Sequence, residues 1–278
     1  MDLRKYVTQR QATSLLLMGS PGMSMLEDAL VLARHILKTS NLDSHPDFLM
    51  VAPVAKKKSI GVDEIMPVIS LGAYPPVHGT HSIALIDGMD KLTVAAQNKL
   101  LILLESNPYV FVIGLCYGEV LDTVKSRMRI ISYHPYSKAD FLKMCELPTE
   151  DGELLYYATA GCIGFLKDLI PEKELFTDLR DACSNEDKRK KLYQVLHLIR
   201  EKDNQAITEN QFLMQAVLRV LQFLFHRQSE LACIEKDYKK AARYHDITTR
   251  LIEDEKRSEQ TVYSKNDFFA TILYCVEH

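Results

Sequence analysis

The chain has 278 residues, of which 47% are hydrophobic and 26% charged, with a net charge of −3. That length suits two or three small domains, and the composition is that of an ordinary globular protein. The slightly acidic balance argues against a protein that grips DNA alone, so any nucleic-acid contact is expected to be local or made by a larger assembly.

No apolar run approaches the roughly 18 residues that a membrane span needs, and the N-terminus lacks a signal-peptide pattern. No membrane partner and a cytoplasmic location are therefore expected. Cys116, Cys145, Cys162, Cys183, Cys233 and Cys275 are scattered, with no CxxC pair among them. Such a set predicts reduced, small core residues and no zinc site.

Along residues 1–135 strand and helix signals alternate. The apolar run Ser14–Met18 stops at Gly19-Ser20-Pro21-Gly22, as a buried strand feeding a loop does. Residues 24–38 then place Leu26, Ala29, Leu30, Ala33, Ile36 and Leu37 at helical spacing. A second strand is predicted over His45–Val51 and a second helix over Ile60–Leu71. Ser82–Asp87 is an apolar run ending in a carboxylate, and Thr93 can cap the helix that carries Leu100, Leu101 and Leu104. Tyr109–Ile113 and Arg129–Tyr133 complete the strands. Repeated strand–helix units with doubly buried strands predict an α/β domain, a parallel sheet wrapped by helices. After Pro135 the strand signals stop. A small helical region is expected at 137–175, and helices throughout from 176, clearest at 209–227 and 262–276.

The segment Gly19-Ser20-Pro21-Gly22-Met23-Ser24-Met25-Leu26 follows a strand and opens a helix, where a phosphate-binding loop belongs. That loop normally reads GxxxxGK[ST]. Here Gly19 is retained and Gly22 lies within the turn, but Ser24 stands for the second glycine, Met25 for the lysine and Leu26 for the hydroxyl residue. The lysine neutralises the β/γ-phosphates and the hydroxyl holds Mg²⁺, and neither methionine nor leucine can do so. The strand ending in Asp87-Gly88 shows a matching loss. Asp87 could lean on a metal, but Gly88 has no carboxylate to orient a water. Two losses at matched positions point to a pseudo-ATPase with no cofactor and no metal.

Several longer segments occur in order: His45-Pro46-Asp47-Phe48, Ile60–Ile65, Ile86–Leu101, Leu104-Glu105-Ser106-Asn107-Pro108 and Thr123–Met128. With them the chain resembles the AAA+ clamp-loader family of bacterial DNA polymerase III, and within it the delta-prime subunits, over roughly 14–136. The resemblance implies a RecA-like AAA+ domain at 1–136, a helical lid at 137–175 and an all-α collar for oligomerisation at 176–278. It also implies a subunit that does not hydrolyse ATP but closes a hetero-oligomeric ring with the tau/gamma and delta subunits. Such a ring loads the sliding clamp onto primed DNA in DNA replication, as part of the DNA-directed DNA polymerase holoenzyme. The family's Ser-Arg-Cys motif, whose arginine reaches a neighbour's ATP site, corresponds to Ser126-Arg127-Met128. Two features depart from the family. Residues 38–45 lack the cysteines of its zinc module, and Phe165 stands where its ATPases place a nucleotide-sensing arginine.

Each feature has a plainer reading. Arg127 could be a solvated or locally paired loop residue, and 19–26 a relic that binds nothing. His78 and His81 have HxxH spacing but no evident third ligand. Lys56-Lys57-Lys58 and Lys188-Arg189-Lys190-Lys191 are solvated faces unless they meet DNA phosphates. Two alternatives to the clamp-loader reading stand: a working AAA+ ATPase with an unusual loop, and an AAA+-like adaptor of a recombination or repair complex. No GxSxG or HExxH pattern suggests another enzyme class.

Overall fold

The structure, a computed structural model, describes residues 3–6, 13–53, 59–145, 147–184, 211–260 and 265–277. They fall into two compact units, Met1–His134 and Pro135–His278. The basic runs at 56–58 and 188–191, and the predicted helical residues 209–210 and 262–264, lie outside the described residues.

In the first unit five strands form one sheet: β1 Leu15–Met18, β2 Phe48–Val51, β3 Ser82–Asp87, β4 Val110–Cys116 and β5 Arg129–Ser132. Their order is β2-β3-β4-β1-β5 and every pairing is parallel. The helices are α1 Met25–Leu37, α2 Val62–Leu71, α3 Val94–Ser106 and the single turn α4 Asp122–Lys125.

Successive side chains of a strand point to opposite faces, and here both faces are apolar. Leu15, Leu17, Ile83, Leu85, Phe111, Ile113 and Leu115 pack with Met25, Ala29, Leu32 and Ala33 of α1. Leu16, Ala84, Ile86, Val110 and Val112 face the other way, onto Ile65 and Val68 of α2 and Ala96, Leu100 and Leu103 of α3. The strand predicted over Tyr109–Ile113 runs on to Cys116, because β1 and β3 pair with it on both sides through Gly114 and Leu115. Thr93 caps α3 as expected, its hydroxyl accepting from the Ala96 N–H at 3.3 Å.

One buried charge organises the loop ahead of β3. Asp47, 2% exposed, accepts the backbone N–H groups of Val77 (2.7 Å) and His78 (2.6 Å) through its two oxygens. Its own carbonyl accepts the Ile83 N–H, so one residue ties the loop and starts the β2–β3 ladder. A carboxylate so placed satisfies two donors that the loop cannot pair internally. Asp47→Ala is expected to lower the unfolding free energy by about 2–4 kcal/mol. Denaturant melts and faster exchange of the Val77 and His78 amides check this.

The second unit contains α5 Lys138–Cys145, α6 Thr149–Ala158, α7 Leu166–Leu169, α8 Lys173–Ser184, α9 Gln211–Ile234, α10 Tyr238–Gln260 and α11 Lys265–Glu277. The stripe predicted over 209–227 belongs to α9, which continues to Ile234 and turns into α10 at Lys236, whose φ is 62°. One apolar core joins its described helices. Phe141, Leu154, Leu155 and Phe176 share their cluster with Val217, Leu221 and Leu224 on α9, and with Leu251 and Phe268 beyond it. No break in that core marks residue 175 or 176.

Among the described residues no helix is long and apolar enough to cross a membrane, and no group of three or more His, Cys, Asp or Glu could hold a metal ion. The six cysteines form no disulfide with one another; five are buried and Cys233 is exposed. Burial pushes the Cys275 thiol up to about 12 and raises those of Cys116, Cys145 and Cys162. Since the thiolate is the nucleophile, iodoacetamide at pH 8 should modify Cys233 alone in the folded protein. Mass spectrometry should find the other five labelled only under denaturant.

Candidate functional site

In a parallel sheet all strands end along one edge, where ligands of α/β proteins gather. Here that edge collects the loop after β1, Asp87 and Gly88 after β3, and Tyr117 after β4. The loop is anchored by the Gly19 N–H donating to Cys116 O at 3.1 Å, and Gly22 turns it with φ 80°. Ser24 occupies the N-cap of α1 without a side-chain capping bond.

Met25, expected at the position of the lysine, is fully buried, packed in the core on the α1 face of the sheet. Met23, Leu26 and Tyr133 pack partly buried against the same core. A Cβ added at Gly19 would lie 2.7 Å from the Met23 sulfur, 2.9 Å from Tyr133 Cβ and 3.2 Å from the Met25 sulfur. The residue that would cradle phosphate is therefore hemmed in by apolar side chains. The Tyr133 hydroxyl is held by Asp28 Oδ2 at 2.7 Å.

At the second strand end, the Tyr117 hydroxyl donates to Asp87 Oδ1 at 3.0 Å, and the Tyr117 N–H donates to Asp90 Oδ1 at 3.0 Å. Burial first, and then the Asp87 carboxylate, push Tyr117 ionisation well above the ordinary tyrosine range. Because the folded value is the higher one, this contact stabilises fully below about pH 10 and weakens only as pH climbs towards that raised value. Gly88 has φ 90°, a left-handed conformation that L side chains avoid, and a Cβ there would meet Lys91 Cγ at 3.0 Å. A glutamate at this position would therefore meet a backbone unsuited to it.

Ser126 and Arg127 sit elsewhere, just before β5 and so at the opposite edge of the sheet from 19–26 and Asp87. The α4 turn that carries them is fixed by Gln97, 5% exposed, which accepts the Leu121 N–H (2.9 Å) and donates to Leu92 O (3.1 Å). Met128 is buried in the core beneath. Arg127 is one-third exposed and locally engaged. Its Nη2 meets Glu105 Oε1 at 2.5 Å and its Nη1 donates to Thr123 O at 2.9 Å. The Ser126 hydroxyl also donates to Thr123 O, at 3.1 Å. Sequence reasoning missed Glu105, Tyr117 and Gln97 as partners, since nothing local marks a contact spanning more than 20 residues.

In the helical unit Phe165 stacks on Phe212 of α9 with ring centroids 3.8 Å apart. Of the HxxH pair, His78 gives its backbone N–H to Asp47 and its ring lies edge-on to His45, while His81 Nδ1 pairs with the Thr80 hydroxyl.

Residues 3–137, which include the entire sheet, match the family described as DNA polymerase III, delta subunit. Over these residues, just under half of its length, the chain is similar to the DNA polymerase III delta-subunit family. Among solved structures it is similar to a DNA polymerase III gamma subunit-related protein of Thermotoga maritima, at 15% identity and a TM-score of 0.52, covering 96% of this chain and 95% of that one. It also aligns with the RuvB Holliday junction branch migration motor of the same organism, at 12% identity and a TM-score of 0.43, over 80% of this chain and 82% of that one. No curated protein matches it in sequence. At 15% identity the likeness to the gamma subunit-related protein is one of fold: a parallel-sheet unit followed by helices.

The double substitution Met25→Lys with Leu26→Thr restores the missing residue types without restoring the space around them. Lysine at a fully buried site should cost about 2–4 kcal/mol, and calorimetry should find no Mg-ATP binding. Binding gained at unchanged stability would show that the loop is still a phosphate site. Gly88→Glu should cost about 1–2 kcal/mol from its backbone conformation alone.

Proposed function

We propose that this chain is a non-catalytic clamp-loader subunit of the delta-prime kind, working within a DNA polymerase III assembly in the cytoplasm. In this reading it closes a ring with the tau/gamma ATPases and delta, and the ring loads a sliding clamp onto primed DNA. The observation that carries the pseudo-ATPase part is Met25, buried where a phosphate-binding lysine would project. The apolar packing around Gly19 and the tyrosine on Asp87 agree with it. No cofactor is assigned. The helical stretch divides functionally into a lid (137–175) and an assembly collar (176–278), although the two share a core.

Arg127, with Ser126, is proposed as the trans arginine finger. Its position at the opposite sheet edge from this chain's own 19–26 loop supports a role towards another chain's nucleotide. A guanidinium there would stabilise charge developing on the transferred phosphate.

The test is steady-state ATP hydrolysis and clamp loading by the reconstituted complex. Arg127→Ala should assemble normally, since it gives up one exposed ion pair worth about 0–1 kcal/mol. Loss of such a finger costs roughly 10³–10⁵ at the site it serves, so total turnover should fall in part, with clamp loading falling alongside. Arg127→Lys should rescue poorly, because an ammonium lacks the planar fork. ATPase activity of the isolated chain that vanishes in Asp87→Ala would instead favour the working-ATPase alternative.

A further inference from the structure

Both terminal nitrogens of Arg127, the edge of the guanidinium that would meet a phosphate, are occupied by acceptors of its own chain. One acceptor is a backbone carbonyl on α4. The other is Glu105, a carboxylate on the last turn of α3, 22 positions earlier in the sequence. That placement is unfavourable for Glu105 by itself, because the C-terminal end of a helix carries partial negative charge that repels a carboxylate. Its compensation is Arg127. The neighbouring cation, Lys125, is engaged with Glu119 at 2.9 Å.

We propose that Glu105 is a positioning residue that parks Arg127 against its own chain for most of the time, until a neighbouring subunit offers a nucleotide phosphate that outcompetes it. The inference rests on the reading of Arg127 as a trans finger. Glu105 is half exposed and Arg127 one-third exposed, so water screens the pair and holds it weakly. A more negative, less hydrated phosphate outcompetes it, and an empty neighbouring site does not. The parked state lowers the competent fraction of Arg127, and an exposed pair of this kind sets that reduction at roughly two- to fivefold. The holding arm thus suppresses wasted finger insertion without fixing the arginine permanently.

The experiment compares full-length wild type, Glu105→Gln, Glu105→Asp, Arg127→Ala and the Glu105→Gln/Arg127→Ala double variant, each reconstituted with the partner ATPases. Glutamine keeps the shape, removes the charge and suits a helix end, so folding is undisturbed. Turnover at the site served by Arg127 should rise roughly two- to fivefold in Glu105→Gln, and Glu105→Asp should return towards wild type. The double variant should match Arg127→Ala. In the isolated protein, NMR of labelled arginine side chains should show rotation about the Arg127 Nε–Cζ bond accelerated by Glu105→Gln, which reports loss of the holding contact, while the rise in turnover is the readout that a merely structural pair would not give. Wild-type or lower turnover in Glu105→Gln, with Arg127→Ala still slow, would overturn the parking role and leave the finger standing. A gain that persists in the double variant would also overturn it. Wild-type turnover in Arg127→Ala would remove the finger reading itself, and this inference with it.

Discussion

Strands that are apolar on both faces cannot be left open to water on either, and this requirement organises the whole first unit. Leu15, Leu16 and Leu17 alternate between the two cores, and each core must recruit helices to cover it. Helices returning each strand to the same starting edge make the sheet parallel, and a parallel sheet sets all strand ends on one side. Two edges with different chemistry result. One carries the loop after β1 with Asp87 and Tyr117; the other carries Asp47, the loop it ties, and Arg127.

At the first edge, packing and chemistry compete for the same space. A nucleotide loop needs polar groups that face outward and an open cradle beside the glycine. In this chain the first turn of α1 is spent on the core: Met25 is buried, Met23 and Tyr133 close on Gly19, and the Tyr117 hydroxyl satisfies Asp87. These side chains are therefore integrated into the fold, and they contribute the stabilisation of buried apolar surface. Asp87 retains its position at the end of β3 with a partner of its own.

At the second edge the residues are held by polar contacts of long sequence separation. Gln97 on α3 fixes the segment leading to α4, and Glu105 at the end of the same helix reaches Arg127. α3 is thus a common support for the turn and for its arginine.

Much of the architecture was legible in the sequence, because it depends on period and on local chemistry. The two-sided apolar strands and the Thr93 cap could both be read from neighbours within a few residues. Strand ends were less so: β4 outran its predicted limit because β1 and β3 continue to pair with it, a fact about neighbours and not about residues 114–116. Other features were decided only by tertiary structure. Asp47 inside a recognisable motif does not reveal that its ligands are the amides of Val77 and His78. Arg127 does not announce Glu105, and the helical half does not show that Phe141 and Phe268 share a core. The physical reason is common to all three. A side chain's partner is chosen by proximity after folding, and contacts tens of residues apart in the chain leave no periodic or local trace.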